Sequence, residues 1–166
     1  MTRPDRTRLL VETAFTWAKR STCDRLHVGA VIHREGRILV QGYNGAPAGM
    51  AHCNHECDCA DRGFFSTVSH DEECPADKPC TISVHAEANA IAYAARYGVG
   101  LEGSEIVITD QPCLNCAMLI INAGIRSVWY VRKYRVLDGI DLLSVAGIKI
   151  SQHVDLESLK KVGLPS

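Results

Sequence analysis

Two short stretches carry the residue types that can do chemistry. "SVHAEANAI", residues 83–91, sets His85 and Glu87 two positions apart in a segment otherwise rich in alanine and isoleucine. A buried helix that encloses an uncompensated carboxylate loses roughly several kcal/mol, so something must offset the charge. "DQPCLNC", residues 110–116, supplies the candidate: Cys113 and Cys116 in a C-x-x-C preceded by Pro112. One imidazole and two thiolates make three zinc ligands and leave a fourth tetrahedral position for water, whose pKa then falls to about 7. Helix N-termini would help to keep the thiolates ionised. Glu87 is then explained without being a ligand, as a base that takes the water's proton and passes it to a substrate nitrogen. Taken singly, a helical histidine is more often a core or capping residue, and a lone C-x-x-C serves equally as half a structural zinc site or a redox pair. The combination is far more specific than its parts.

These side chains need elements to position them, and the hydrophobic pattern supplies an alternating series. Residues 5–20 place Leu9, Leu10, Ala14, Phe15, Trp17 and Ala18 at helical spacing. "VGAVIH" (28–33) and "RILVQGY" (37–43) read as a hairpin around the turn "REG". A helix is expected from about 85 to 97, stopped by Gly98 and Gly100. A strand at 104–110, a helix at 113–124, a strand at 126–132, a short helix at 137–147 and an edge strand at 148–152 complete the series. This order predicts βαβ units and a mixed sheet covered on both faces. No internal repeat or second domain is visible, so the expectation is one domain over residues 1–166.

Composition narrows the partners and the compartment. The chain has 166 residues, a formal net charge of −1 and eight cysteines. Near-neutral charge and the lack of a basic or aromatic-rich stripe argue against a nucleic-acid partner. No apolar run approaches the roughly 20 residues of a membrane span, and "MTRPDRTRLLVETAF" lacks the apolar core of a secretory signal, so a cytoplasmic protein is expected. In that compartment clustered cysteines point to metal rather than disulfides. Residues 44–82 form a Cys/His-rich insert with little apolar periodicity, a length of loop that needs pinning. A second, structural Zn²⁺ drawn from Cys53, Cys57 or Cys59, Cys74 and Cys80 would clip it, with a histidine such as His52 or His55 as a possible substitute. Unligated or redox-active thiols are the alternative; Cys23 stands apart.

The set H-x-E…P-C-x-x-C is a zinc-deaminase signature, and the chain resembles the deoxycytidylate (dCMP) deaminases of the cytidine deaminase-like superfamily. The likeness runs from about residue 8 to 150. It is carried by "CDRLHVGAVIHREGRILVQGYNGAPAG", "HAEANAI" and "PCLNCAMLIINAGIRSVWY", the "GYNGAPAG" element being the part that separates this family from other members. The resemblance implies a three-layer α/β/α fold around a central mixed five-stranded sheet. It implies zinc-dependent hydrolytic deamination of dCMP to dUMP, with zinc on His85, Cys113 and Cys116 and Glu87 as the general acid/base. It also implies a homohexamer activated by dCTP and inhibited by dTTP.

Four further residues enter with alternatives open. Asn44 could contact base or sugar, or simply favour the left-handed turn geometry that asparagine tolerates. Arg25 could hold a 5′-phosphate through paired N–H donors, or lie solvated at the surface. Tyr134 could flank the nucleotide, or be a rim aromatic. Arg96 occupies a position that in relatives looks like a subunit or regulatory contact, and it also suits the negative end of its own helix. Asp110 and Gln111, in "TDQPC", depart from the residues common in relatives and could alter how the base's exocyclic group is read. The remaining readings are a deaminase of a modified cytosine nucleotide such as 5-methyl-dCMP, of a riboflavin precursor or of nucleic acid, and a non-enzymatic zinc-stabilised interaction module. The last leaves Glu87 unexplained.

Overall fold

The hairpin of β1 (Gly29–Arg34) and β2 (Arg37–Tyr43) turns through Glu35 and Gly36, both with positive φ, 53° and 79°. That is the backbone twist a two-residue hairpin turn needs. In this computed structural model, which describes residues 5–23, 26–50, 52, 83–134 and 136–153, the hairpin is one edge of a five-stranded sheet of order β2-β1-β3-β4-β5. β3 (Glu105–Asp110) pairs antiparallel to β1, whereas β4 (Ser127–Arg132) and β5 (Lys149–Gln152) add in parallel. The sheet is therefore mixed, as expected, with β5 at the far edge. The helices are α1 (Arg6–Ala18), α2 (Ala86–Arg96), α3 (Leu114–Asn122) and α4 (Asp138–Val145). No expected element boundary shifts by more than two residues.

Alternation along the strands sorts the core into two layers. Val31, Val107 and Val131 face α1, which buries Leu10, Val11, Ala14 and Phe15 against them. The intervening residues, Ala30, Ile32, Ile106, Ile108 and Val128, point the other way and pack with Ala86, Ala90 and Ala94 of α2, Ala117 and Ile120 of α3 and Leu143 of α4. A period of two along a strand and of 3.6 along a helix makes this division possible. Small residues set how closely α2 lies on the sheet: a Cβ at Gly42 would run into the Ala86 carbonyl and come within 2.7 Å of the Ala90 nitrogen. The Asn89 side chain donates to the Tyr43 carbonyl at 2.9 Å and fixes the same contact.

Two connections matter for the site. An isolated antiparallel bridge joins Gly45 to Val84, with N–H···O distances of 3.1 and 2.9 Å, so the chain leaving β2 is stitched to the chain entering α2. α3 is the crossover between the parallel strands β3 and β4, which delivers its N-terminus to the C-terminal end of the sheet. Among the described residues no helix is long and apolar enough to cross a membrane.

Candidate metal centre and active site

His85 and Cys113 are the N-cap residues of α2 and α3, each with extended backbone (φ/ψ −69°/154° and −75°/171°). Both therefore stand where the chain turns into a helix and project from its positive end. Cys116 follows in the first turn of α3 and is buried. The sulfurs of Cys113 and Cys116 each lie 3.4 Å from His85 Nδ1, and the three donor atoms all fall within 4.8 Å of one another. Among the described residues no other trio of histidine, cysteine, aspartate or glutamate side chains gathers in this way. One imidazole nitrogen and two thiol sulfurs at this spacing fit a tetrahedral Zn²⁺ with one position open.

The electrostatics suit a cation. The two thiols hold one proton between them: a hydrogen bond from Cys116 lowers Cys113 to about 4, with a further contribution from His85. The same contact, together with burial, raises Cys116. A dication would displace the retained proton and ionise both sulfurs. Glu87 is only 3% exposed, in the first turn of α2. Burial pushes its carboxyl up to about 7, partly opposed by its own backbone N–H, by His85 and, least, by Cys116. The carboxyl is thus electrostatically coupled to the candidate ligands without belonging to the donor trio, and a value near neutrality suits a group that gains and loses a proton in turn.

A cleft of about 250 Å³ opens beside Cys113, lined by Cys113, Leu114, Asn115, Tyr134, Val136 and Gly139. Tyr134 is brought to it and is 44% exposed. Asn115, between the two cysteines, and Gly139 were not singled out from the sequence; position inside the C-x-x-C is the signal that would have found Asn115. Gly139 had none, because its role is contact: a Cβ there would strike the Pro112 carbonyl and come within 2.8 Å of the Cys113 carbonyl carbon.

The other candidate residues fall elsewhere. Asn44 is buried, and its amide accepts from the Val28 N–H at 2.8 Å and donates to the Leu26 carbonyl at 2.7 Å, so it anchors the chain entering β1. Its backbone is not left-handed. Arg96 is exposed at the end of α2 with its guanidinium 5.7 Å from the Tyr97 ring centroid. Asp110 accepts from Arg132 and Thr109, both at 2.7 Å, and so joins the ends of β3 and β4. Gln111 holds the segment after β4 rather than facing the cleft. Arg25 and the insert cysteines Cys53, Cys57, Cys59, Cys74 and Cys80 lie outside the described residues.

A mixed α/β/α sheet that sets an imidazole and two thiols at two helix N-termini, beside a buried carboxyl, defines a candidate zinc protein of the cytidine deaminase-like fold. The model of the cytidine and deoxycytidylate deaminase zinc-binding region matches residues 4–132, and the chain belongs to that family. It is 38% identical over 143 residues to ComE operon protein 2 of Bacillus subtilis, covering 86% of this chain and 67% of that protein. It is 36% identical over 133 residues to the deoxycytidylate deaminase of Mycobacterium phage D29, covering 80% and 99%. Among solved structures, the dCMP deaminase of cyanophage S-TIM5 in complex with dCMP and dUMP superposes with a TM-score of 0.72 at 30% identity, covering 92% of this chain and all of that one.

Proposed function

We propose that this chain is a zinc-dependent nucleotide deaminase that converts dCMP and water to dUMP and ammonia. The observation that carries the reading is the buried Glu87 carboxyl, two residues from His85, raised to about 7 and electrostatically coupled to the three converging zinc donors. A structural zinc site has no need of such a carboxyl, whereas hydrolytic deamination needs a proton carrier there. The likeness to a structure holding dCMP and dUMP supports the choice of nucleotide.

His85 Nδ1 and the sulfurs of Cys113 and Cys116 would hold the ion. Bound there, Zn²⁺ supplies the Lewis acidity that makes water a nucleophile near neutral pH. Glu87 accepts a proton from the attacking water and delivers it to N3 of the base as oxygen adds at C4. It then carries the second proton to the amino group, which leaves as ammonia while C4 becomes a carbonyl. Burial around Glu87 keeps bulk water from competing for that proton. Tyr134 flanks the nucleotide from the cleft wall, Arg25 holds its 5′-phosphate and Asn44 contributes to substrate binding. Asn44 acts there by holding the 26–28 segment.

The finer reading extends to the assembly. The chain forms one domain over residues 1–166, and its insert binds a second, structural Zn²⁺ through Cys53, Cys59, Cys74 and Cys80. It is cytoplasmic and works as a homohexamer regulated by dCTP and dTTP, with Arg96 at a subunit or regulatory contact. Exposed Tyr93 on α2, Tyr97 at its C-cap, and Met118 and Leu119 on α3 are the apolar side chains that such an interface would cover. The test is ammonia release from dCMP, CMP, dCTP, 5-methyl-dCMP and deoxycytidine, each with and without added dCTP or dTTP. Preferred turnover of dCMP supports the reading, and zinc-loaded protein that releases no ammonia from dCMP overturns it.

A further inference from the structure

We propose that Gln111 is a positioning residue for the nucleotide cleft: its side-chain amide fixes the segment carrying Tyr134 and Val136 and thereby sets affinity for the substrate. The inference rests on the deaminase reading above. Gln111 directly precedes Pro112 and Cys113 and is buried. Its backbone N–H donates to the Arg132 carbonyl at 2.9 Å, prolonging the pairing of β3 with β4 by one residue. Beyond that point the ladder ends, and the side chain takes over. Nε2 donates to the Val136 carbonyl at 2.8 Å, and Oε1 accepts from the Tyr134 N–H at 3.4 Å.

A buried primary amide is costly unless both of its ends are satisfied. Here both are satisfied by one segment, on alternate residues, and those two residues line the cleft beside Cys113. An aliphatic side chain would fill the same space without any polar group to desolvate. The amide's distinct contribution is therefore register: it locks the wall formed by Tyr134 and Val136 to the strand end that delivers the zinc-binding cysteine. The wall and the ligand then move as one body, and a nucleotide seated between them meets a preformed surface.

The experiment measures dUMP binding to zinc-loaded protein by calorimetry, alongside dCMP kinetics. Gln111→Leu should bind dUMP roughly tenfold more weakly, the worth of one to two hydrogen bonds. KM for dCMP should rise by a similar factor with kcat within about threefold of the parent, the split expected for lost ground-state positioning. Zinc bound per chain should stay at the parent's value. In a Tyr134→Ala, Val136→Ala background the same Gln111 substitution should change dUMP affinity by less than about twofold, because the wall it positions is gone. Should Gln111→Leu not fold, Gln111→Glu keeps the acceptor, loses the donor and is read in the same way. Parent-like dUMP affinity in the Gln111 variant, or an undiminished effect in the double-alanine background, overturns the inference while the deaminase reading stands. A parent protein that binds no dUMP and deaminates no dCMP overturns both.

Discussion

At the scale of single residues, Glu87 and His33 are both buried ionisable groups, and they point to opposite purposes. Glu87 sits beside the zinc donors with its carboxyl raised to about 7, where it can exchange protons. Glu87→Gln keeps its size and polarity and removes its basicity. Metal analysis of that variant should show zinc unchanged, while ammonia release from dCMP falls by roughly 10²- to 10⁴-fold, the usual worth of a general acid/base. Retained turnover would remove Glu87 from the chemistry. His33, on β1, is not one of the donor trio, and burial holds its pKa below the ordinary 6.5; Glu105 pulls the other way, while Arg126 and Arg6 add to the lowering. The folded chain thus binds this proton less readily than the unfolded chain. Its contribution to stability is complete above pH 6.5 and is lost as pH falls from there through the folded-state pKa. Urea midpoints compared at pH 7.5 and 5.5 should show a smaller acid-side loss in His33→Leu than in the parent; equal losses would rule out His33 as a source.

At the scale of elements, the site depends on how α2, α3 and α4 abut the sheet ends. Gly139→Ala inserts a methyl between α4 and the Pro112–Cys113 backbone, an overpacking that should cost about 1–3 kcal/mol and move a zinc ligand. Chelator competition should show weaker zinc affinity in this variant than in a control such as Val145→Ala, on the exposed end of α4. Unchanged affinity would mean that α4 yields instead. Asn44→Ala removes two hydrogen bonds that hold the 26–28 segment and should lower stability by about 1–3 kcal/mol in chemical denaturation, even without nucleotide. A parent-like midpoint with a raised KM would instead assign Asn44 to substrate contact alone. These cases mark what the sequence makes legible. Helices and strands follow from apolar periodicity, and His85, Glu87, Cys113 and Cys116 from residue types that zinc hydrolysis requires. The roles of Asn44, Gln111 and Gly139 do not: their partners lie 16 to 27 positions away and depend on how strand ends align, which no local pattern encodes.

At the scale of the whole molecule, the three donors link parts of the chain that the sheet holds only indirectly. His85 begins the helix that lies on β2 at Gly42, and Cys113 and Cys116 begin the crossover between β3 and β4. An ion shared by them would therefore be a tertiary crosslink as well as a reagent, and would bind the folded chain far better than the unfolded one. Free zinc at a thousand times its Kd would add about 4 kcal/mol. In a protein of this size 1 kcal/mol shifts the melting temperature by roughly 2–4 °C, so chelation should lower it by the order of 10 °C. Cys116→Ser separates the sources of that shift. If the donor trio holds the only ion, the variant should melt with the chelated parent and ignore chelator. If the insert holds a second zinc, the variant should retain one ion per chain and a further chelator-sensitive drop, which Cys80→Ser should abolish. Parent protein stripped of metal, verified by elemental analysis, yet melting at the holoprotein's temperature would refute the crosslink.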